Sequence, residues 1–138
     1  MRPLAKIASG GELSRIMLAL KTIFSESQGI TSIIFDEVDT GVSGRVAQAI
    51  AEKISGIARA SQVLCITHLP QVAAMADHHY FIAKEIVGDR TETKLARLNE
   101  ADRVHELARM SAGTQVTKLA LEHANELLAL AAETKQRR

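Results

Sequence analysis

Two short apolar runs constrain this chain most: Ile33, Ile34 and Phe35 in "SIIFDE", and Val63 to Thr67 in "SQVLCITH". Both are continuous rather than alternating, the pattern of a strand buried on both faces in a parallel sheet. Between them, from about Arg45 to Ala60, Val46, Ile50, Ile54 and Ile57 recur at helical spacing. Strands alternating with helices indicate an α/β fold around a parallel sheet.

The flanking segments extend that pattern. From Gly10 to about Ser25, Leu13, Ile16, Met17, Leu20, Ile23 and Phe24 follow helical spacing, and Gly29 ends the helix. "VDTGVSG" reads as a loop of small turn residues. Pro70 suits the first turn of a short helix through Met75. "HHYFIAKEIVGDRTETKLARLN" reads as two strands around a Gly88-Asp89 turn. Asn99 is placed to cap a helix ending near Gly113, and Thr114 to cap a last helix from Gln115 to about Thr134, before a frayed "KQRR". We therefore expect one α/β domain over residues 1–138, a mainly parallel sheet flanked by helices, with a C-terminal hairpin and two helices. There is no internal repeat and no linker. An α/β domain that opens a few residues before a functional loop reads as a piece of something longer.

Composition narrows the class. With 46% apolar residues the chain can bury a core, and with three Phe, one Tyr and no Trp that core is aliphatic. A net charge of +1 argues against a wholly basic nucleic-acid binder, though not against a local patch. Cys65 is the only cysteine, so no internal disulfide forms and a reducing compartment is expected. No apolar run reaches the ~20 residues that cross a bilayer, and "MRPLAKIA" lacks the apolar core of a signal peptide. The expected location is the cytoplasm, with no membrane partner.

Three loops carry chemistry. Asp36 and Glu37 stand where the first apolar run stops. Adjacent carboxylates are costly at a core edge. A divalent cation offsets that cost: one carboxylate holds Mg²⁺, and the next orients and deprotonates a water. A strand that simply ends at solvent with two surface acids accounts for the same pair. His68 follows the second run. In a parallel sheet both strand ends lie on one edge, where ligands of open α/β sheets bind. There His68 would donate to a phosphate oxygen, or, as an ordinary structural histidine, bond nearby backbone. In "KIASGGELSR", Ser9 and Glu12 satisfy the capping-box pattern. The box does not explain Gly10 and Gly11, which weaken a first turn by roughly 1 kcal/mol each relative to Ala. Glycine lets a ligand approach the backbone, and free N–H groups at a helix start attract anions.

Together these stretches resemble the second half of an ABC-type ATPase, a P-loop NTPase fold. "SGGE", Ser9 to Glu12, resembles the signature motif, "SIIFDE" the Walker B strand, and His68 the switch histidine. Their order and spacing match as well. Within that superfamily "KIASGGELSR", "IFDEVDTGVSG", "ITHLPQVAA", "ELARM" and "ALEHANELL" resemble the RecN-like family, bacterial DNA-repair relatives of the SMC proteins, over essentially the whole chain.

The resemblance implies roles residue by residue. Ser9 and Gly11, with Gly10 and Glu12 in the same motif, contact the γ-phosphate of ATP held by an opposite subunit. Asp36 supports Mg²⁺ through water, Glu37 is the general base, and His68 senses the γ-phosphate. Asp39 to Gly44 fall where the family has its D-loop. Ala8 stands where the signature usually opens with Leu, and Ser43 where the D-loop usually carries Asp. The loop G-x-x-x-x-G-K-[ST], which cradles the phosphates, does not occur in the sequence. In RecN-like proteins it lies in an N-terminal lobe, so this chain would be the C-terminal lobe, expected to be inactive alone. The implied partners are the N-terminal Walker A lobe, a second copy of the head joined through ATP, and DNA at double-strand breaks. Competing readings are another ABC-type ATPase subunit, from a transporter or an SMC-like protein, and a non-catalytic dimerisation or docking module.

Other candidates are weaker. Cys65, His68, His78 and His79 suggest zinc, but adjacent histidines on a strand point to opposite faces. Lys84, Arg90, Lys94, Arg97, Arg103 and Arg109 alternate with acids, so a solvated surface is expected rather than a DNA-facing patch. Leu119, Leu127 and Leu128 mark the core side, or a partner-facing side, of the last helix.

Overall fold

A computed structural model describes residues 15, 18–19, 32–36 and 38–137. Arg15, Leu18 and Ala19 are helical, and Leu18 is buried in the core. The strand β1 (Ser32–Asp36) leads through a loop to helix α1 (Gly44–Ile57) and strand β2 (Gln62–Ile66). Helix α2 (Pro70–Ala74), strands β3 (Tyr80–Val87) and β4 (Arg90–Arg97), and helices α3 (Glu100–Ala112) and α4 (Lys118–Gln136) follow.

β1 and β2 pair in parallel, with Ile34 opposite Leu64 and Asp36 opposite Ile66. The crossover through α1 thus gives the strand–helix–strand unit the apolar runs required. Among the described residues the parallel part is this two-stranded pair, and β3 and β4 form a separate antiparallel hairpin. The hairpin closes on Gly88 and Asp89, with Val87 opposite Arg90. Gly88 has φ +64°, a conformation that two-residue hairpin turns need and side chains disfavour.

The expectation that both runs are buried on both faces is corrected. Pleating sends Ile33 and Phe35 into the core, with Val63 and Cys65 half-buried beside them, while Ile34, Leu64 and Ile66 stay more than half exposed. A strand alternates its side chains, so burial on both faces needs two covering layers. The described residues supply one. Val46 also departs from its expected place: it is exposed, while Ala47, Ile50, Ala51, Ile54 and Ile57 form the buried face of α1.

Among the described residues the core joins that face to Val72 and Ala73 of α2, Leu107 and Ala108 of α3, and Ala120, Ala124 and Ala131 of α4. Alanine at these α4 positions lets it approach α3 closely, where Leu107 is fully buried. Leu127 and Leu128 flank this stripe, and Leu119 is exposed. Asn99 caps α3 as expected, its side chain accepting from Asp102 N at 2.9 Å. The last helix starts three residues later than expected: Thr117, not Thr114, is the cap, accepting from Ala120 N at 3.2 Å. Among the described residues no helix is long and apolar enough to cross a membrane.

Candidate functional site

β1 delivers Asp36 to the edge at which it ends, and Asp36 is exposed there. It lies on the uncovered face, in line with Ile34 and opposite Ile66. Beyond it the chain turns inward, so that Val38 and Asp39 are buried. The loop closes with Val42 N donating to Asp39 O at 3.3 Å. Gly41 and Gly44, at φ +72° and +54°, turn it into α1. Ser43 is the extended residue at the start of α1, but its side chain makes no capping bond.

β2 ends at the same edge. Thr67 and His68 follow it, and Leu69, extended at φ −96°, leads into Pro70 at the first turn of α2. The His68 side chain is 62% exposed. The expected meeting of Asp36 and His68 at one edge therefore holds for the two expected site residues that lie among those described. Ser9, Gly10, Gly11, Glu12 and Glu37 lie outside the described residues.

Asp39, which the sequence placed only as the start of the D-loop-like stretch, joins the two loops. The Asp39 side chain is wholly buried. Its Oδ2 accepts from Thr67 Oγ1, from His68 N at 3.2 Å and from Leu69 N at 3.3 Å. His68 Nδ1 stands 3.5 Å from the same oxygen. Thr67 Oγ1 in turn accepts from Leu69 N at 3.0 Å. Asp39 Oδ1 is buried without a hydrogen-bond partner among the described residues. A buried carboxylate with this many donors is a fixed strut between the loop after β1 and the loop after β2. Beside that resemblance, the hint in the sequence was a carboxylate three residues past a strand end, inside a turn.

The edge is electronegative. The Cys65 thiol, half-buried on the inward face of β2, is pushed up to about 12 by burial first, then by Asp39 and Asp36. The other imidazoles are placed elsewhere. His78 is exposed and its Nδ1 faces Arg97 Nη2 at 2.8 Å. His79 is half-buried, and burial, then Arg103, holds its imidazole below the usual histidine range, with Glu106 opposing. Among the described residues no group of three or more His, Cys, Asp or Glu is arranged to hold a metal. Asp36, exposed at this edge, is a hard oxygen donor that suits Mg²⁺, an ion that keeps several waters and takes one or two carboxylates.

The basic residues are dispersed rather than gathered. Lys94 pairs with Glu85, and Arg109 with Glu106 while lying 5.9 Å from the Phe81 ring centre. Arg103 Nη2 donates to Ala73 O, Ala74 O and Ala76 O at 3.3, 2.8 and 2.6 Å, and so closes the end of α2.

Comparison with known proteins gives high similarity over nearly the whole chain. A "DNA repair protein RecN" of Halalkalibacterium halodurans is 66% identical over 135 residues, 98% of this chain and 24% of that protein. That of Bacillus subtilis is 62% identical over 135 residues, and that of Treponema pallidum 50% over 127. These cover 98% and 92% of this chain, and 23% and 22% of those proteins, so the chain spans about a quarter of its curated relatives. No protein-family model matches. A solved structure from work on the ATP-driven dimerization and DNA stimulated activation of SMC ATPases superposes with a TM-score of 0.59 at 20% identity. It covers 80% of this chain and 66% of that one, and establishes likeness of fold.

Proposed function

We propose that this chain, which belongs to the RecN family of DNA repair proteins and corresponds to its C-terminal part, is one lobe of an ATP-hydrolysing head. It carries the signature, the general base and the switch histidine, while a separate N-terminal Walker A lobe cradles the nucleotide. The observation that carries this reading is the juxtaposition of Asp36 and His68 on one edge of a parallel strand pair. That is where α/β sheets bind ligands.

In this reading the residues divide the work. Asp36 would hold Mg²⁺ through water; when bound, the ion would offset the charge of the phosphate oxygens of ATP. Glu37 orients a water and takes its proton. His68, with Asp39 behind Nδ1, offers its other nitrogen to the γ-phosphate. Ser9, Gly10, Gly11 and Glu12 close on the nucleotide of a second head, so that two heads sandwich two ATP molecules. Opening and closing act on DNA at double-strand breaks in the cytoplasm. The exposed Ile34, Leu64 and Ile66 face supports docking of the N-terminal lobe onto this one.

The test is ATP hydrolysis by this chain alone, then with the N-terminal lobe of its protein. We expect no turnover alone and turnover on mixing. Robust turnover by the chain alone, or a complex of the two lobes without activity, overturns the roles assigned to Glu37 and His68. In the intact protein Glu37→Gln preserves ATP binding and abolishes hydrolysis; near-normal hydrolysis reassigns the base.

A further inference from the structure

We propose that Asp39 is a positioning residue that holds His68 to the loop following β1, so that the switch histidine and Asp36 at the end of β1 are set as one unit. The inference rests on the ATPase reading above, but its evidence is separate. Among the described residues the donors to Asp39 Oδ2 come from three consecutive residues, Thr67, His68 and Leu69. These residues form the segment that presents the imidazole. Asp39 itself stands three positions after Asp36 and opens the turn that Val42 N closes on its carbonyl. One buried oxygen therefore fixes where both functional strand ends lead.

A purely local role fits the arrangement less well. The three donors include two backbone N–H groups, and a neutral acceptor would satisfy them. A wholly buried carboxylate is the costlier choice, and here one of its oxygens is unpartnered among the described residues. What the carboxylate adds is a negative charge 3.5 Å from His68 Nδ1. It commits that side of the ring to the protein and leaves Nε2 for a ligand, the arrangement by which a neighbouring acceptor selects a histidine's working nitrogen. Thr67 completes the support, because its hydroxyl donates to Asp39 and accepts from Leu69 N.

The experiment uses the full-length protein that carries this segment, with Asp39→Asn, Thr67→Val, His68→Ala and the doubles Asp39→Asn/His68→Ala and Thr67→Val/His68→Ala. We expect Asp39→Asn to lower kcat about ten- to hundredfold with KM for ATP within about twofold. Thr67→Val, which removes one donor, lowers kcat less. Neither substitution lowers kcat further once His68 is Ala, because residues that act through one group are not additive. Unchanged kcat in Asp39→Asn, or a full additional loss in the doubles, overturns the inference. If Asp39→Asn does not fold, Thr67→Val with its double decides by the same criterion. If His68→Ala alone turns over like the wild type, the assignment of His68 as switch falls first, and the positioning role with it.

Discussion

The Cys65 thiol is a residue-scale test of how closely the two strand ends pack. Burial and the Asp39 and Asp36 carboxylates all disfavour its thiolate, the species that reacts with alkylating agents. With the thiol pushed up to about 12, iodoacetamide at neutral pH should modify the folded chain ~10²–10³-fold more slowly than the urea-unfolded chain. Mass spectrometry over time reads this directly, and equal rates would mean that Cys65 is not held between these groups. Asp36 and His68 were legible in the sequence, because an apolar run that stops at a charged or polar side chain marks a strand reaching an edge. Asp39 was not legible in its role. Its partner hydroxyl lies 28 residues away, and only the folded crossover brings the two together. The scattered basic residues fell as their alternation with acids predicted, with the exception of Arg103. That guanidinium is half-buried on the carbonyls ending α2, a backbone partnership that charge patterning does not encode.

Elements were legible wherever local chemistry sets their limits. Pro70, the Gly88-Asp89 turn and the Asn99 cap all stand where expected, since each acts through the backbone within a few residues. The start of α4 was misplaced because Thr114 and Thr117 have equal local claims to cap. What decides is tertiary: beginning at Lys118 turns Ala120, Ala124 and Ala131 onto the core. The caps can be ranked by substitution with Ala and urea unfolding of this chain. Asn99→Ala and Thr117→Ala each lose a side-chain acceptor and should cost about 1 kcal/mol. Ser43→Ala removes no side-chain capping bond at α1, and should cost no more than a few tenths of a kcal/mol. A Thr117→Ala cost no greater than that of Ser43→Ala would return the start of α4 to the earlier position.

At the scale of the whole molecule, the exposed face of the parallel pair is the feature that sequence and structure describe differently. The apolar runs are written for two covering layers, yet Ile34, Leu64 and Ile66 are exposed at 61%, 51% and 51%. The runs and the observed burial agree if the second layer belongs to the remaining three-quarters of a protein the length of its relatives. Apolar area removed from water contributes about 25 cal/mol per Å², so three large aliphatic side chains on one face favour any partner that fits them. The isolated chain should bind a hydrophobic dye and self-associate with rising concentration. Ile34→Ser with Leu64→Ser should suppress both while leaving the inward Ile33 and Phe35 in place, and should weaken capture of the N-terminal lobe in proportion. Dye fluorescence and sedimentation of the two chains, followed by a titration with that lobe, separate the possibilities. Unchanged dye binding in the double variant would move the sticky surface elsewhere, with the exposed side of the hairpin, bearing Ile82, Ile86 and Leu95, as the next place to look. Lost self-association with undiminished capture of the lobe would mean that this face meets a second copy rather than the other lobe. Asp36 lies on this same face, so whatever covers Ile34 and Leu64 also comes to rest beside that carboxylate. In the reading proposed above, a lobe docking there would bring its phosphate-cradling loop to the edge that holds Asp36 and His68, and docking and completion of the site would be one event.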